Sequence, residues 1–294
     1  MAITRPLPRL APVPLLVAAL FIAVFWPTFS WMAERFDAAD SFYSHGWLIP
    51  FASGWLIWQR REALRRVPGA PSFAGAAALA AALALHVVAT WWRVGFISGF
   101  AMVFTVWALV WTLWGGPVWW RLRFPMLFLL FMVPLPGILL ISISFYMKLA
   151  AAALATHVIG LMGIPATQAG STIQVPNVSV IVDDTCSGLR SLISLIALST
   201  LWTAVMPPSA RVWHKLVIVA ASIPIALAAN MVRIVVLVLV ASVYGPKAAE
   251  GFIHYGSGLV VFGVALLVLA GLSRWLTGDE GRPAARPKVR RASV

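Results

Sequence analysis

Read by its hydrophobic pattern, the chain is a succession of apolar runs joined by short polar connections. Each run approaches the roughly 20 residues that a helix needs to cross a hydrocarbon core. The runs near 13–32, 44–59, 73–92, 95–114, 122–140, 187–206, 216–243 and 254–276 predict eight transmembrane helices. A further segment, Ile143–Met162, is long enough but carries Lys148, Thr156 and His157 among its alanines. Only one stretch changes period. "ATQAGSTIQV" and "VSVIVDD" flank Pro176 and Asn177, a turn-forming pair between β-branched runs, which predicts a small β-hairpin. The hairpin delivers the chain straight to Cys186.

Charge then orients the pattern. Arg5 and Arg9 precede the first run, Arg60, Arg61, Arg65 and Arg66 follow the second, and Arg121 and Arg123 follow the fourth. Arg211 and Lys215 continue the alternation, as does the tail with Arg282, Arg286, Lys288, Arg290 and Arg291. By the positive-inside bias these connections are expected to be cytoplasmic. The tail reaches that side only if Ile143–Met162 does not cross, so this segment is expected to be an interfacial helix on the outer face. The acids Glu34, Asp37, Asp40, Asp183, Asp184 and Glu250 all fall in the opposite connections. The expected architecture is an all-α polytopic membrane protein of about eight transmembrane helices, plus an interfacial helix and a small extracytoplasmic β-hairpin. Residues 1–281 form one membrane domain and 282–294 a basic cytoplasmic tail. The first run lacks a clear small-residue cleavage site and is expected to remain as an anchor.

Composition agrees with this class: 61% of residues are hydrophobic and 11% charged, against about a quarter charged in soluble domains. The net charge of +13 is read as loop charge beside a lipid bilayer and not as a nucleic-acid surface, because no soluble basic fold accompanies it. A single cysteine excludes an internal disulfide. No nucleotide-binding loop or metal-ligand cluster is present, so no cofactor is implied.

Polar groups within or beside spans are costly and therefore draw attention to function. Cys186 opens a span, where Asp184 or Thr185 is expected to cap the helix and the helix dipole to favour a thiolate. Asn230 and Arg233 in "ALAANMVRIVVLVLV" are three residues apart, on one helix face. A purely structural alternative pairs Arg233 with Asp183 or Asp184. His254 begins the last run in "GFIHYGSG", whose glycines permit close helix approach. His157 ranks second as the imidazole of this group, while His86 and His214 lie away from it. A thiol, a guanidinium and an imidazole at similar depth supply the nucleophile, oxyanion stabiliser and acid–base group of thiol acyl transfer.

The segments "CSGLRSL" at 186–192, "NMVR" at 230–233 and "HYGSG" at 254–258 resemble, in order, those of the exosortase/archaeosortase membrane proteins. "YSHGWLIP" at 43–50 and "RFPMLFLLFMVPLP" at 123–136 extend the resemblance over most of the chain. Where family members often carry Glu-Ala before the cysteine, this chain has Asp184 and Thr185. The resemblance implies a bacterial inner-membrane cysteine protease or transpeptidase with both termini cytoplasmic and its active site on the periplasmic side. The implied partners are membrane-anchored exported proteins bearing a C-terminal sorting signal, and an amine acceptor on a lipid or glycan. The implied triad is Cys186, Arg233 and His254, with Asp184, Ser187, Gly188, Arg190, Asn230, Tyr43 and His45 supporting it or binding substrate. A transporter, or a non-catalytic component of polysaccharide export, would also bury Arg and Asn in helices. The gathering of the polar groups at one end of the spans argues for the enzyme.

Overall fold

The computed structural model describes residues 12–38, 41–176, 178–183, 186–207, 210–245 and 252–277, with side chains from 14 onward and, in the last segment, from 256. The chain divides into two compact units, one of residues 1–39 and 46–134, the other of 40–45 and 135–294.

The first unit contains α1 (Pro12–Asp37), a 3-10 turn (Ser44–Leu48) that it shares with the second, α2 (Ile49–Gln59), α3 (Arg61–Arg65), α4 (Phe73–Trp91) and α5 (Gly95–Phe128). Helix α4 is alanine-rich, and its start is capped by the Ser72 hydroxyl, which accepts the Gly75 N–H. Gly75 permits close packing against α5: a Cβ there would lie 2.5 Å from the Thr112 nitrogen. Helix α5 is broken at Gly115, whose φ of 78° and ψ of 179° suit glycine alone, and Pro117 follows in the first turn of the second arm. The two arms fold back on each other. Gly99 abuts Val133, and the Trp107 and Trp119 rings stack with centroids 5.1 Å apart. The division of this stretch into two apolar runs at residue 114 therefore coincides with a reversal of the chain. The second arm lies along α2, where the Ser53 hydroxyl donates to the Pro125 carbonyl and the Arg60 guanidinium to that of Arg121.

The second unit is built around the long helix α8 (Val212–Tyr244), with α6 (Gly137–Leu161), α7 (Leu189–Val205) and α9 (Phe252–Thr277) packed on it. The expected hairpin is there as part of a larger element, a three-stranded antiparallel meander of β1 (Thr167–Ala169), β2 (Thr172–Val175) and β3 (Val178–Ile181). The additional strand arises because Gly170, at φ 62°, turns the first β-branched run back on itself. Ile173, Val175, Val178 and Val182 face inward onto Ala152, Ala155 and Ile159 of α6 and Ile234, Leu237 and Val238 of α8, in one apolar cluster that includes Cys186.

Six helices among the described residues are long and apolar enough to cross a membrane: α1, α4, α5, α6, α8 and α9. Helix α2, with 11 residues, and α7, with 17, fall short of that length, so the expected count of eight is not reached by length. Helix α6 is one continuous apolar helix of 25 residues. Nothing in its length sets it apart as interfacial, because Lys148, Thr156 and His157 are too few to interrupt a helix rich in alanine and leucine.

Candidate functional site

Among the described residues, Asp183 and Cys186–Gly188 form an irregular elbow between the sheet and α7. The sequence suggested that Cys186 begins the helix, capped by Asp184 or Thr185. Helix α7 instead begins at Leu189, after Gly188 in the left-handed conformation (φ 81°) with no side-chain cap. Cys186 therefore precedes the helix as part of the elbow. The carboxylate that fixes it is Asp183, whose Oδ1 accepts the Cys186 N–H at 2.9 Å. The Asp184 and Thr185 expectations lie outside the described residues. Beyond the thiol, Ser187 accepts the Leu189 N–H at 3.3 Å, and the Ser191 hydroxyl donates to the Gly188 carbonyl at 2.9 Å.

Helix α8 holds this elbow from the side. Asn230 is 5% exposed and its Nδ2 donates to the Cys186 carbonyl at 2.9 Å. The fit leaves room only for glycine at 188: a Cβ there would lie 2.7 Å from the Asn230 Cγ. One turn along the same face, Arg233 lines a small enclosed cavity of about 30 Å³ together with Asn230, Ser191 of α7 and Gly258 of α9. That volume admits about one water molecule. The guanidinium lies beside Gly258 of α9, where a Cβ would sit in ordinary contact at 3.5 Å from Arg233 Cζ. The sequence expectation that Asn230 and Arg233 share a face is met, and both turn toward the helix that follows Cys186.

His254 falls in the first turn of α9, one helical turn before Gly258; its side chain lies outside the described residues. Arg190 is half-buried in the first turn of α7. Tyr43 and His45 also join this unit. The Tyr43 hydroxyl accepts the Leu135 N–H at 3.3 Å, the two rings stack 5.8 Å apart, and His45 Nδ1 pairs with the Ser194 hydroxyl at 3.2 Å. Burial lowers the His45 pKa to about 4, keeping the imidazole neutral, and raises that of Tyr43 against the opposing effect of the Leu135 bond. The 3-10 turn that carries His45 lies outside the six helices of crossing length.

Sequence reasoning overlooked Asp183 as the group that ties down Cys186, and Ser191 and Ser194 as partners on α7. The serines had a signal: Ser191 and Ser194 stand three residues apart, on one face of a helix. Asp183 had none, because its bond depends on the irregular path of the elbow.

No curated protein and no solved structure matches the chain. A family model for the transmembrane exosortases (Exosortase_EpsH) matches residues 31–271, a span that contains the elbow at Cys186, the Asn230–Arg233 face of α8 and the start of α9. With that match over most of its length and a multi-pass set of apolar helices, the chain belongs to the transmembrane exosortase family.

Proposed function

We propose that this exosortase is a cysteine protease or transpeptidase that cleaves the C-terminal sorting signal of exported, membrane-anchored proteins. The observation that carries the reading is the tether from Asn230 to the Cys186 carbonyl, with Arg233 one turn away in the cavity beside it. A thiol on a fixed backbone, with a guanidinium one turn along the helix that fixes it, supplies two of the groups that nucleophilic acyl transfer needs.

In this mechanism the Cys186 thiolate attacks the scissile carbonyl and Arg233 balances the charge that develops on its oxygen. Collapse expels the amine of the substrate's C-terminal segment, which takes a proton from His254, and leaves a thioester on Cys186. His254 then removes a proton from water or from an acceptor amine, whose attack releases the product and restores the thiolate beside a protonated His254. Water as acceptor gives proteolysis; an amine on a lipid or glycan gives transpeptidation. The site is taken to face the periplasm from the inner membrane, with both termini in the cytoplasm, in keeping with the distribution of Arg and Lys along the sequence. Asp184, Ser187, Arg190, Tyr43 and His45 would line the approach of the substrate segment.

The test is co-expression with sorting-signal proteins and mass spectrometry of their new C-termini. Wild type should generate a defined truncated terminus, or that terminus joined to an amine, and Cys186→Ala should generate neither while inserting normally. Processing by a well-folded Cys186→Ala variant would remove the nucleophile assignment.

A further inference from the structure

In the first unit, a cleft of about 350 Å³ opens where the C-terminal end of α4 meets the start of α5 and the middle of α1. Thr28, Trp31, Thr90, Arg93 and Ser98 line it. None of these residues belongs to the site around Cys186, and the wall of the cleft holds a buried polar chain whose direction can be worked out.

His86 is 5% exposed in α4; its Nε2 lies 3.1 Å from the Val24 carbonyl and its Nδ1 2.8 Å from the Ser98 hydroxyl. A carbonyl only accepts, so Nε2 carries the proton and a neutral ring must accept at Nδ1. Ser98 therefore donates to His86. The Thr28 hydroxyl, 2.6 Å from Ser98, must then donate to Ser98. Every proton in the chain is committed, and Thr28, 2% exposed at the end of it, has only acceptor lone pairs left where it lines the cleft.

The opposite side of the cleft supplies positive charge. Arg93 is exposed and sits in the left-handed region at φ 56°, the sole non-glycine residue with positive φ among the described residues. Glycine or asparagine usually ends a helix in this conformation; here the position carries a guanidinium. A second guanidinium, that of Arg35, lies over the Trp31 ring at 5.7 Å. Trp91 and Trp92, 84% and 71% exposed, flank the cleft at the end of α4, and exposed tryptophans at helix ends mark the membrane–water interface.

We propose that this cleft binds a phosphate group whose substituent carries a hydrogen-bond donor. The phosphate pairs with Arg93 and the donor with Thr28. At headgroup depth, phosphatidylglycerol and phosphatidylethanolamine have this chemistry, through a hydroxyl and an ammonium respectively. Phosphatidylcholine has the phosphate but no donor. A soluble phosphate compound would reach the same groups from the aqueous side.

The experiment uses the full chain in phosphatidylcholine nanodiscs doped with phosphatidylglycerol or phosphatidylethanolamine. It reads the lipid retained in native mass spectra and the thermal midpoint. Wild type should retain either doped lipid over phosphatidylcholine by about tenfold, the scale of one charge-assisted hydrogen bond, and its midpoint should rise with them. Arg93→Gly suits the backbone at that position and so keeps the fold; it removes the partner of the phosphate that all three lipids share, so it should retain every lipid more weakly while the preference set by Thr28 remains. Thr28→Val keeps the shape of the cleft and should level phosphatidylglycerol and phosphatidylethanolamine with phosphatidylcholine. For Thr28→Val the readout is a ratio within one variant, so loss of stability cannot imitate it. Inorganic phosphate added to pure phosphatidylcholine discs separates the sources: a midpoint rise that Arg93→Gly abolishes assigns the site to a soluble phosphate compound, and no rise assigns it to lipid. Equal retention of the three lipids by wild type with no effect of inorganic phosphate, total retention unchanged in Arg93→Gly, or a preference unchanged in Thr28→Val overturns the proposal.

Discussion

Gly188→Ala tests how the elbow is held. The substitution adds one methyl group at a position with φ 81°, a conformation that costs a residue with a β-carbon about 1–2 kcal/mol. The new carbon would also fall 2.7 Å from the Asn230 Cγ, so the carboxamide must retract and release the Cys186 carbonyl. Stranding that buried acceptor costs a further ~1–3 kcal/mol, and of the resulting range of about 2–5 kcal/mol a value of about 3 kcal/mol is used. Cys186 is the only cysteine and is 6% exposed, so its alkylation by a small maleimide in detergent reports opening of the elbow alone. Three kcal/mol should speed labelling by about a hundredfold, at 1.4 kcal/mol per factor of ten. In Asn230→Ala the obstruction is already gone, so adding Gly188→Ala should contribute only the backbone strain, about tenfold. A Gly188→Ala labelling rate equal to wild type, or full additivity in the double variant, would refute the reasoning.

Three further outcomes are expected. Arg233→Lys should slow processing by about a hundredfold or more if the guanidinium stabilises the oxyanion; near-normal turnover at equal folded protein would make Arg233 a structural residue. His45 is held neutral with a folded pKa of about 4, below its ordinary value of 6.5. The unfolded chain therefore binds the extra proton between these values, and stability should be complete above pH 6.5 and fall as pH drops toward 4. Unfolding midpoints of His45→Gln across this range should show a shallower acid slope, and an unchanged slope would contradict the burial argument. In a Cys186→Ala background, a cysteine placed at 288 should label from the cytoplasmic side and cysteines at 170–176 from the outside; labelling of 288 from outside would reverse the proposed orientation.

The hydrophobic pattern alone determined the class of the protein. Long apolar runs have few physical alternatives to helices in lipid, because only helices and closed barrels satisfy their own backbone there. It also located the division near residue 114, because Gly115, Gly116 and Pro117 cannot continue a helix without a break. The pairing of Asn230 with Arg233 on one face was legible for the same reason: within a helix, direction follows from spacing. Tertiary structure decided what spacing cannot encode. That Asp183 fixes Cys186 depends on the non-periodic path of the elbow. That α7 begins only after Gly188 depends on Asn230, 42 residues further along the chain, filling the space a side chain would need. That His86 belongs to a hydrogen-bonded chain with Ser98 and Thr28 depends on the packing of α1, α4 and α5. The last two are contacts between residues far apart in sequence, and such contacts are set by how helices pack once formed, a step on which the local periodicity of the sequence is silent.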